Sequence, residues 1–140
     1  MKRKERTQIL IAGQGELSRK LCTEIEKNYL INIIEQPNNG LVMMKMRENS
    51  QRSLFYIGEV LVTECKVEIN GVIGMGILSG IDEQHAYQLA VIDAAYNARL
   101  PETAGWESLL RQEQQVLEQQ RQQEYARVLK TRVNFETMDV

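Results

Sequence analysis

Two cysteines and one histidine in 140 residues are the chain's scarcities, and each one closes off a class of protein. Cys22 and Cys65 stand 43 positions apart in sequence and support neither a disulfide framework nor a zinc site, which would need several Cys or His at close spacing. A single imidazole, His85, brings no triad or ligand partner with it that the sequence makes visible. An excess of positive charge is missing too. With 17 Lys+Arg against 19 Asp+Glu the net charge is −2, so the basic surplus typical of nucleic-acid binders is absent. No apolar run approaches the roughly 20 residues of a membrane span. The opening Met1-Lys2-Arg3-Lys4-Glu5-Arg6 is followed only by Ile9-Leu10-Ile11-Ala12 before Gly13, too short for a secretory core, and the expected location is the cytoplasm. What is present is ordinary globular composition, 43% hydrophobic and 26% charged, in a length that buries roughly two thirds of its unfolded surface. A single domain over 1–140 is expected.

Periodicity changes along the chain. From Glu5 to Asn28, Ile9, Ala12, Leu17, Leu21 and Ile25 recur mostly at spacings of four, which predicts a helix with one buried face. Gly13 and Gly15 interrupt it, so one kinked helix or two short ones are expected. Pro37-Asn38-Asn39-Gly40 has turn chemistry. Four strand segments follow, at Leu41 to Arg47, Ser53 to Ile57, Val60 to Ile69 and Val72 to Ser79. In the third, Leu61, Thr63, Cys65, Val67 and Ile69 alternate with Glu64, Lys66 and Glu68, so the first set is expected under a helix and the second in water. Asn70-Gly71 joins the last two segments with the two positive φ angles of a type I′ turn. Asp82 reads as the N-cap of a helix that runs to about residue 100 and ends at Pro101. A second helix is expected over 106–130, carrying a thin stripe of Trp106, Leu110, Leu117 and Val128 among seven Gln, with an aperiodic tail over 131–140. The fold class is therefore α+β: an antiparallel meander of about four strands over 41–79, packed with N-terminal and C-terminal helices.

Candidate chemistry is sparse. His85, in the first turn of the helix capped by Asp82, is the one group suited to acid, base or ligand work, and local hydrogen bonding is its ordinary alternative. Asp93, two turns on and surrounded by apolar residues, is expected to be buried and matched by an Arg. Gly74, Gly76 and Gly80 do not make a phosphate loop, because the first two fall within a strand and no Lys-Ser/Thr follows. The expected role of Gly74 and Gly76 is to let another backbone pack closely on the strand. Cys65 reads as a small core residue, Cys22 has no evident activator, and Glu59 sits beside Gly58 at an expected bulge. No metal site and no cofactor site are expected in this chain.

Several segments in register resemble one family. Gly40-Leu41-Val42-Met43, Arg47, Gly58-Glu59-Val60-Leu61-Val62-Thr63, Gly71, Gly74-Met75-Gly76, Gly80-Ile81-Asp82-Glu83-Gln84-His85-Ala86, Ile92-Asp93-Ala94 and Arg132-Val133-Asn134-Phe135-Glu136-Thr137-Met138 are similar to the PhnG family, the G subunit of the bacterial carbon–phosphorus lyase system. The resemblance covers about Pro37 to Met138. It implies a subunit of a cytoplasmic complex for phosphonate catabolism, in which the G, H, I and L subunits together let a phosphonate displace adenine from MgATP, giving ribose 1-phosphonate 5-triphosphate. By the same resemblance the I subunit carries the nucleosidase chemistry and the J subunit later breaks the C–P bond. The complex would be an alpha-D-ribose 1-methylphosphonate 5-triphosphate synthase, MgATP would be its substrate, and this chain would not be active alone.

Trp106, Leu110, Leu117 and Val128 form a stripe too narrow to be satisfied by one small sheet, and Arg132, Phe135 and Met138 lie beyond it. These seven residues are the expected partner interface, the I subunit being the expected partner and H, J and L further ones. In isolation the same surface invites self-association. A free-standing α+β ligand-binding or interaction domain is the alternative reading, and co-purification with an I-type subunit separates the two.

Overall fold

The computed structural model describes residues 1–13, 15–47 and 54–138, with side chains for all of these except 45–47, 54–57 and 133–138. Two helices, α1 (Arg3–Ala12) and α2 (Glu16–Asn28), precede three strands, β1 (Asn32–Arg47), β2 (Leu54–Ile69) and β3 (Val72–Ser79). Helix α3 (Glu83–Asn97), a 3-10 turn (Pro101–Gly105) and the long helix α4 (Trp106–Met138) complete the chain. The class is α+β, as its periodicity predicts. The break between α1 and α2 falls at the glycines, and Gly15, at φ 87°, supplies the left-handed residue that starts α2.

The sheet has three antiparallel strands in the order β1-β2-β3 among the described residues, one fewer than expected. Apart from Ser53, which lies outside the described residues, the expected strands at Ser53 to Ile57 and Val60 to Ile69 are one strand, β2. Gly58 does not end it. Met44 pairs with Gly58 and Lys45 with Tyr56, so Ile57 is an extra residue and the anticipated bulge bends a continuous strand. The turn expected at Pro37-Asn38-Asn39-Gly40 is likewise absorbed, into β1. Register slips between Ile33 and Glu35 and between Glu35 and Asn38 place two extra residues there. Asn38 makes its local hydrogen bonds, to Glu35 Oε1 and the Gln36 carbonyl at 2.9 Å each, without reversing the chain. A proline is tolerated because β1 is an edge strand. The expected loop at Glu48 to Arg52 lies outside the described residues.

The Asn70-Gly71 hairpin forms as anticipated, with φ of 52° and 82° at its two central residues. Thr63, Cys65, Val67 and Ile69 are fully buried, while Glu64, Lys66 and Glu68 lie on the partly solvated face. Leu61 departs from the expected set and is exposed. Beyond Val62, paired with Ser79, β3 has ended; the chain leaves through Gly80, whose N–H donates to the Leu61 carbonyl at 2.8 Å, and among the described residues no strand flanks β2 on that side further along. From there β1 and β2 run on as a two-stranded ribbon, with Leu41, Val42, Met43 and Met44 exposed in succession and hence on both faces.

Helix α3 lies directly on the sheet. A Cβ at Gly74 would stand 2.1 Å from the Ala94 nitrogen, and one at Gly76 would stand 2.2 Å from the Ala86 carbonyl. Ala86, Ala90 and Ala94, four residues apart, form the matching smooth face, so the close approach expected of the two glycines is made by the α3 backbone itself. Around this contact Leu21, Ile25, Val67, Ile69, Ile92, Trp106 and Leu110 build one core.

Candidate functional site

Asp82 caps α3 by accepting from the His85 N–H at 3.1 Å, which satisfies one of the helix's free first-turn donors. Thr63 fixes that helix end to the sheet. Its hydroxyl lies 2.7 Å from the Gly80 carbonyl and accepts from the Asp82 N–H at 3.2 Å. His85 is thereby held against α2, where its Nε2 lies 3.2 Å from Ser18 Oγ, while its Nδ1 is 3.9 Å from Asp82 Oδ2. A serine, a histidine and an aspartate in line invite comparison with a nucleophilic triad, but the geometry cannot serve as one. Ser18 has no exposed surface, and 3.9 Å is beyond a hydrogen bond, so the imidazole is not oriented by the carboxylate.

Next to His85 is a polar cavity of about 200 Å³ lined by Gly15, Arg19, Asp82, Gln84, His85 and Gln88. It lies where the start of α2 meets the start of α3. Ser18, Arg19 and Gln88 were not apparent as site residues in the sequence. Their one available signal was spacing, since Gln88 follows His85 by a helical turn on the buried face of α3.

Asp93 is buried and matched by two arginines, as its apolar neighbours predict. Arg3 Nη2 donates to Oδ2 at 2.9 Å and Arg6 Nη2 to Oδ1 at 3.2 Å, and the Met75 backbone N–H donates to Oδ2 at 2.9 Å. Arg6 also lies over the Tyr96 ring, 4.0 Å from its centroid, and Tyr96 meets the edge of Trp106 at 5.7 Å. This ties α1, β3, α3 and α4 together. A second cavity of about 430 Å³ opens beside it, between α1, β3 and α3, with Leu10, Met75, Ile77, Leu89 and Ile92 among its lining residues.

The thiols are not nucleophiles. Burial raises both, Cys65 to about 11, and Cys22 further because it also donates to Glu26 Oε1 at 3.0 Å. Glu59 is exposed on β2. Among the described residues no group of three or more His, Cys, Asp or Glu is placed to hold a metal ion, and no helix is long and apolar enough to cross a membrane.

The residues expected at a partner interface separate into two sets. Trp106 and Leu110 are corrected: both are buried in the chain's own core, where Trp106 Nε1 donates to Glu24 Oε2 at 3.1 Å. The sheet alone would not cover this stripe, but α1 and α2 supply Ile9, Leu10, Leu21 and Ile25 to the core that buries its first two turns. Leu117 is partly buried at the edge of that core, Val128 is exposed, and Arg132 is exposed. The expected tail is also corrected, since α4 continues through Met138. The side chains of Phe135 and Met138 lie outside the described residues. Past Glu124 every described residue through Arg132 is exposed, including Tyr125 (65%), Val128 (60%) and Leu129. Val128 lies on the same side of the helix as Leu110 and Leu117, with Tyr125 beside it and Leu129 toward the flank, so the face that is packed in the first half of α4 is bare at Val128 and Tyr125.

The family model described as phosphonate metabolism protein PhnG matches residues 1–139. No curated protein matches the chain.

Proposed function

Since the chain belongs to the PhnG family and so to phosphonate metabolism, we propose that it is an accessory subunit of the carbon–phosphorus lyase core complex. In this reading it supports the displacement of adenine from MgATP by a phosphonate and does not carry that displacement out. Its work is to hold other subunits in place, the I subunit first and H, J and L with it, in the cytoplasm.

The observation that carries the reading is the second half of α4. At 1.5 Å per residue, the helix runs on for about 12 Å from Glu124 to Arg132 with every side chain exposed, Tyr125, Val128 and Leu129 among them. Full burial of one such side chain is worth about 1.5–3 kcal/mol, so Tyr125, Val128 and Leu129 together offer a partner a substantial hydrophobic contribution. The two-sided apolar ribbon of β1 and β2 at Leu41 to Met44 supports the reading in the same way. Nucleophilic work is also poorly supported by the residues around His85, where the serine is sealed in the core.

Co-purification tests the proposal. Expressed together, this chain and an I-type subunit should elute as one species, and the double substitution Tyr125→Asp, Val128→Asp should separate them while the domain stays folded. Normal association of the double variant would remove α4 as the docking element.

A further inference from the structure

The two edges of the sheet are not equally protected. Along β1, Pro37 and the two register slips break up the row of outward-facing backbone groups, a common way for an edge strand to avoid a stray partner. β3 has neither device. Its pairing with β2 runs without a slip from Val72 to Ser79, it contains no proline and no charged residue, and Ile73, Met75 and Ile77 on its outer face are exposed. The phase of the ladder follows from the hairpin. Ile69 and Val72 close the two-residue turn as a hydrogen-bonded pair, and the Gly80 N–H on the Leu61 carbonyl carries the same alternation to the far end. The backbone groups of Ile73, Met75, Ile77 and Ser79 therefore face away from β2. Helix α3 occupies part of this edge, since Asp93 accepts from the Met75 N–H at 2.9 Å and Asn97 donates to the Ile73 carbonyl at 3.0 Å. From the Met75 carbonyl to Ser79 the outward groups have no partner among the described residues.

Beside this open stretch lies the cavity of about 430 Å³ between α1, β3 and α3. Its floor is apolar, formed by buried Leu10, Leu89 and Ile92, and its rim carries three cations, Arg3, Lys4 and Arg6, against the single carboxylate of Asp93. Asp93 is shared by both arginines, and Lys4 has no ion pair among the described residues, so the rim holds uncompensated positive charge on a chain whose net charge is −2. That excess selects the occupant. A second copy of this chain would bring the same cations to the same edge, whereas an acidic segment meets opposite charge. We propose that an extended, acidic segment of a partner protein adds to β3 as a short fourth strand. Its main chain bonds to the Met75 carbonyl, to the N–H and carbonyl of Ile77 and to Ser79, while every second side chain, apolar, enters the cavity over Leu10, Leu89 and Ile92. Its carboxylates reach Lys4 and Arg3. At about 3.4 Å per residue the open edge is about 14 Å long, enough for four or five residues. The site is built from β3, α1 and α3, so it does not rest on docking through α4.

Selection of a displayed random octapeptide library against the full-length protein tests this. The enriched peptides should alternate apolar residues with Asp or Glu, and a fluorescent copy of one should bind saturably by anisotropy, more weakly as salt rises. In amide hydrogen exchange the Ile77 N–H should exchange at least ten-fold more slowly once the peptide is bound, while the Met75 N–H, already held by Asp93, should change little. Ile77→Pro removes that donor at an edge position where proline is tolerated, and Lys4→Glu reverses a charge at an exposed position. Each should weaken binding at least ten-fold, and Tyr125→Asp with Val128→Asp should leave it unchanged. If circular dichroism shows Ile77→Pro to be unfolded, Lys4→Glu and the Ile77 protection decide. Enrichment of no peptide or of peptides without acidic residues, binding that leaves the Ile77 N–H unprotected, or binding that survives Lys4→Glu but not the α4 substitutions overturns the proposal. So does a dimer of the chain alone that Ile77→Pro dissolves, since the occupant is then a second copy.

Discussion

Removing the Asp93 carboxylate should be among the most damaging single changes available to this fold, and the structure says how large the damage is. In Asp93→Ala the Arg6 guanidinium, itself buried, loses its anion and keeps only the Tyr96 ring, while the Met75 N–H loses its acceptor. Arg3 is different. Its side chain is 61% exposed and returns to water at little cost. Breaking a buried ion pair from one side costs about 3–5 kcal/mol, because the remaining charge is left without compensation. With an unfolding entropy of about 2.1 cal/mol/K per residue, that corresponds to a fall in Tm of about 10–17 °C for a chain of this length. The assay is thermal or urea unfolding of the wild type, Asp93→Ala, Arg6→Met and the pair together. The double variant should recover part of the loss, since both charged partners have then gone, and Arg3→Ala should cost less than about 1 kcal/mol. Additive single effects, or a loss in Asp93→Ala no larger than in Arg3→Ala, would refute the assignment of Asp93 as the buried junction between α1, β3 and α3.

Other expectations follow from particular contacts. Gly74→Ala should destabilise the fold by about 3 kcal/mol or more in urea unfolding, because its new Cβ meets the α3 backbone, which cannot rotate away as a side chain would. A cost under about 0.5 kcal/mol would mean that α3 does not lie on β3 as described. The thiols give a pH signature. Cys65 loses its proton near 9 when unfolded and near 11 when folded, so its contribution to stability is complete below about 9 and falls as pH rises toward about 11. Iodoacetamide at mildly alkaline pH should accordingly modify neither cysteine until denaturant is added. Tyr125→Asp with Val128→Asp should leave the Tm of the isolated chain within a degree or two, since both side chains are already in water.

Much of the architecture was written in short-range patterns. The hairpin at Asn70-Gly71, the cap at Asp82 and the buried row Thr63, Cys65, Val67 and Ile69 each depend on the preferences of a few adjacent residues, and each formed as those preferences dictate. Features that depended on distant partners were harder to see. Pro37 to Gly40 has genuine turn chemistry, yet pairing with β2 held the segment in a strand and converted the turn into bulges. Trp106 and Leu110 looked unsatisfied because the helices that cover them come from the other end of the sequence. The site was less legible than the fold. His85 stood out as the lone imidazole, but its partner Ser18 is 67 positions away and the cavity beside it is closed by Arg19 on a different helix. No local pattern connects α2 to α3, so only packing could bring those residues together.

The central claim, that the chain assists a reaction it does not perform, is tested most directly by adenine release from MgATP and methylphosphonate in a reconstitution with one subunit omitted at a time. The expected result is no release by this chain alone, release by the complete set of subunits, and a large loss when this chain is left out or replaced by the Tyr125→Asp, Val128→Asp variant. Release by the purified chain alone, or undiminished release by the other subunits without it, would contradict the claim.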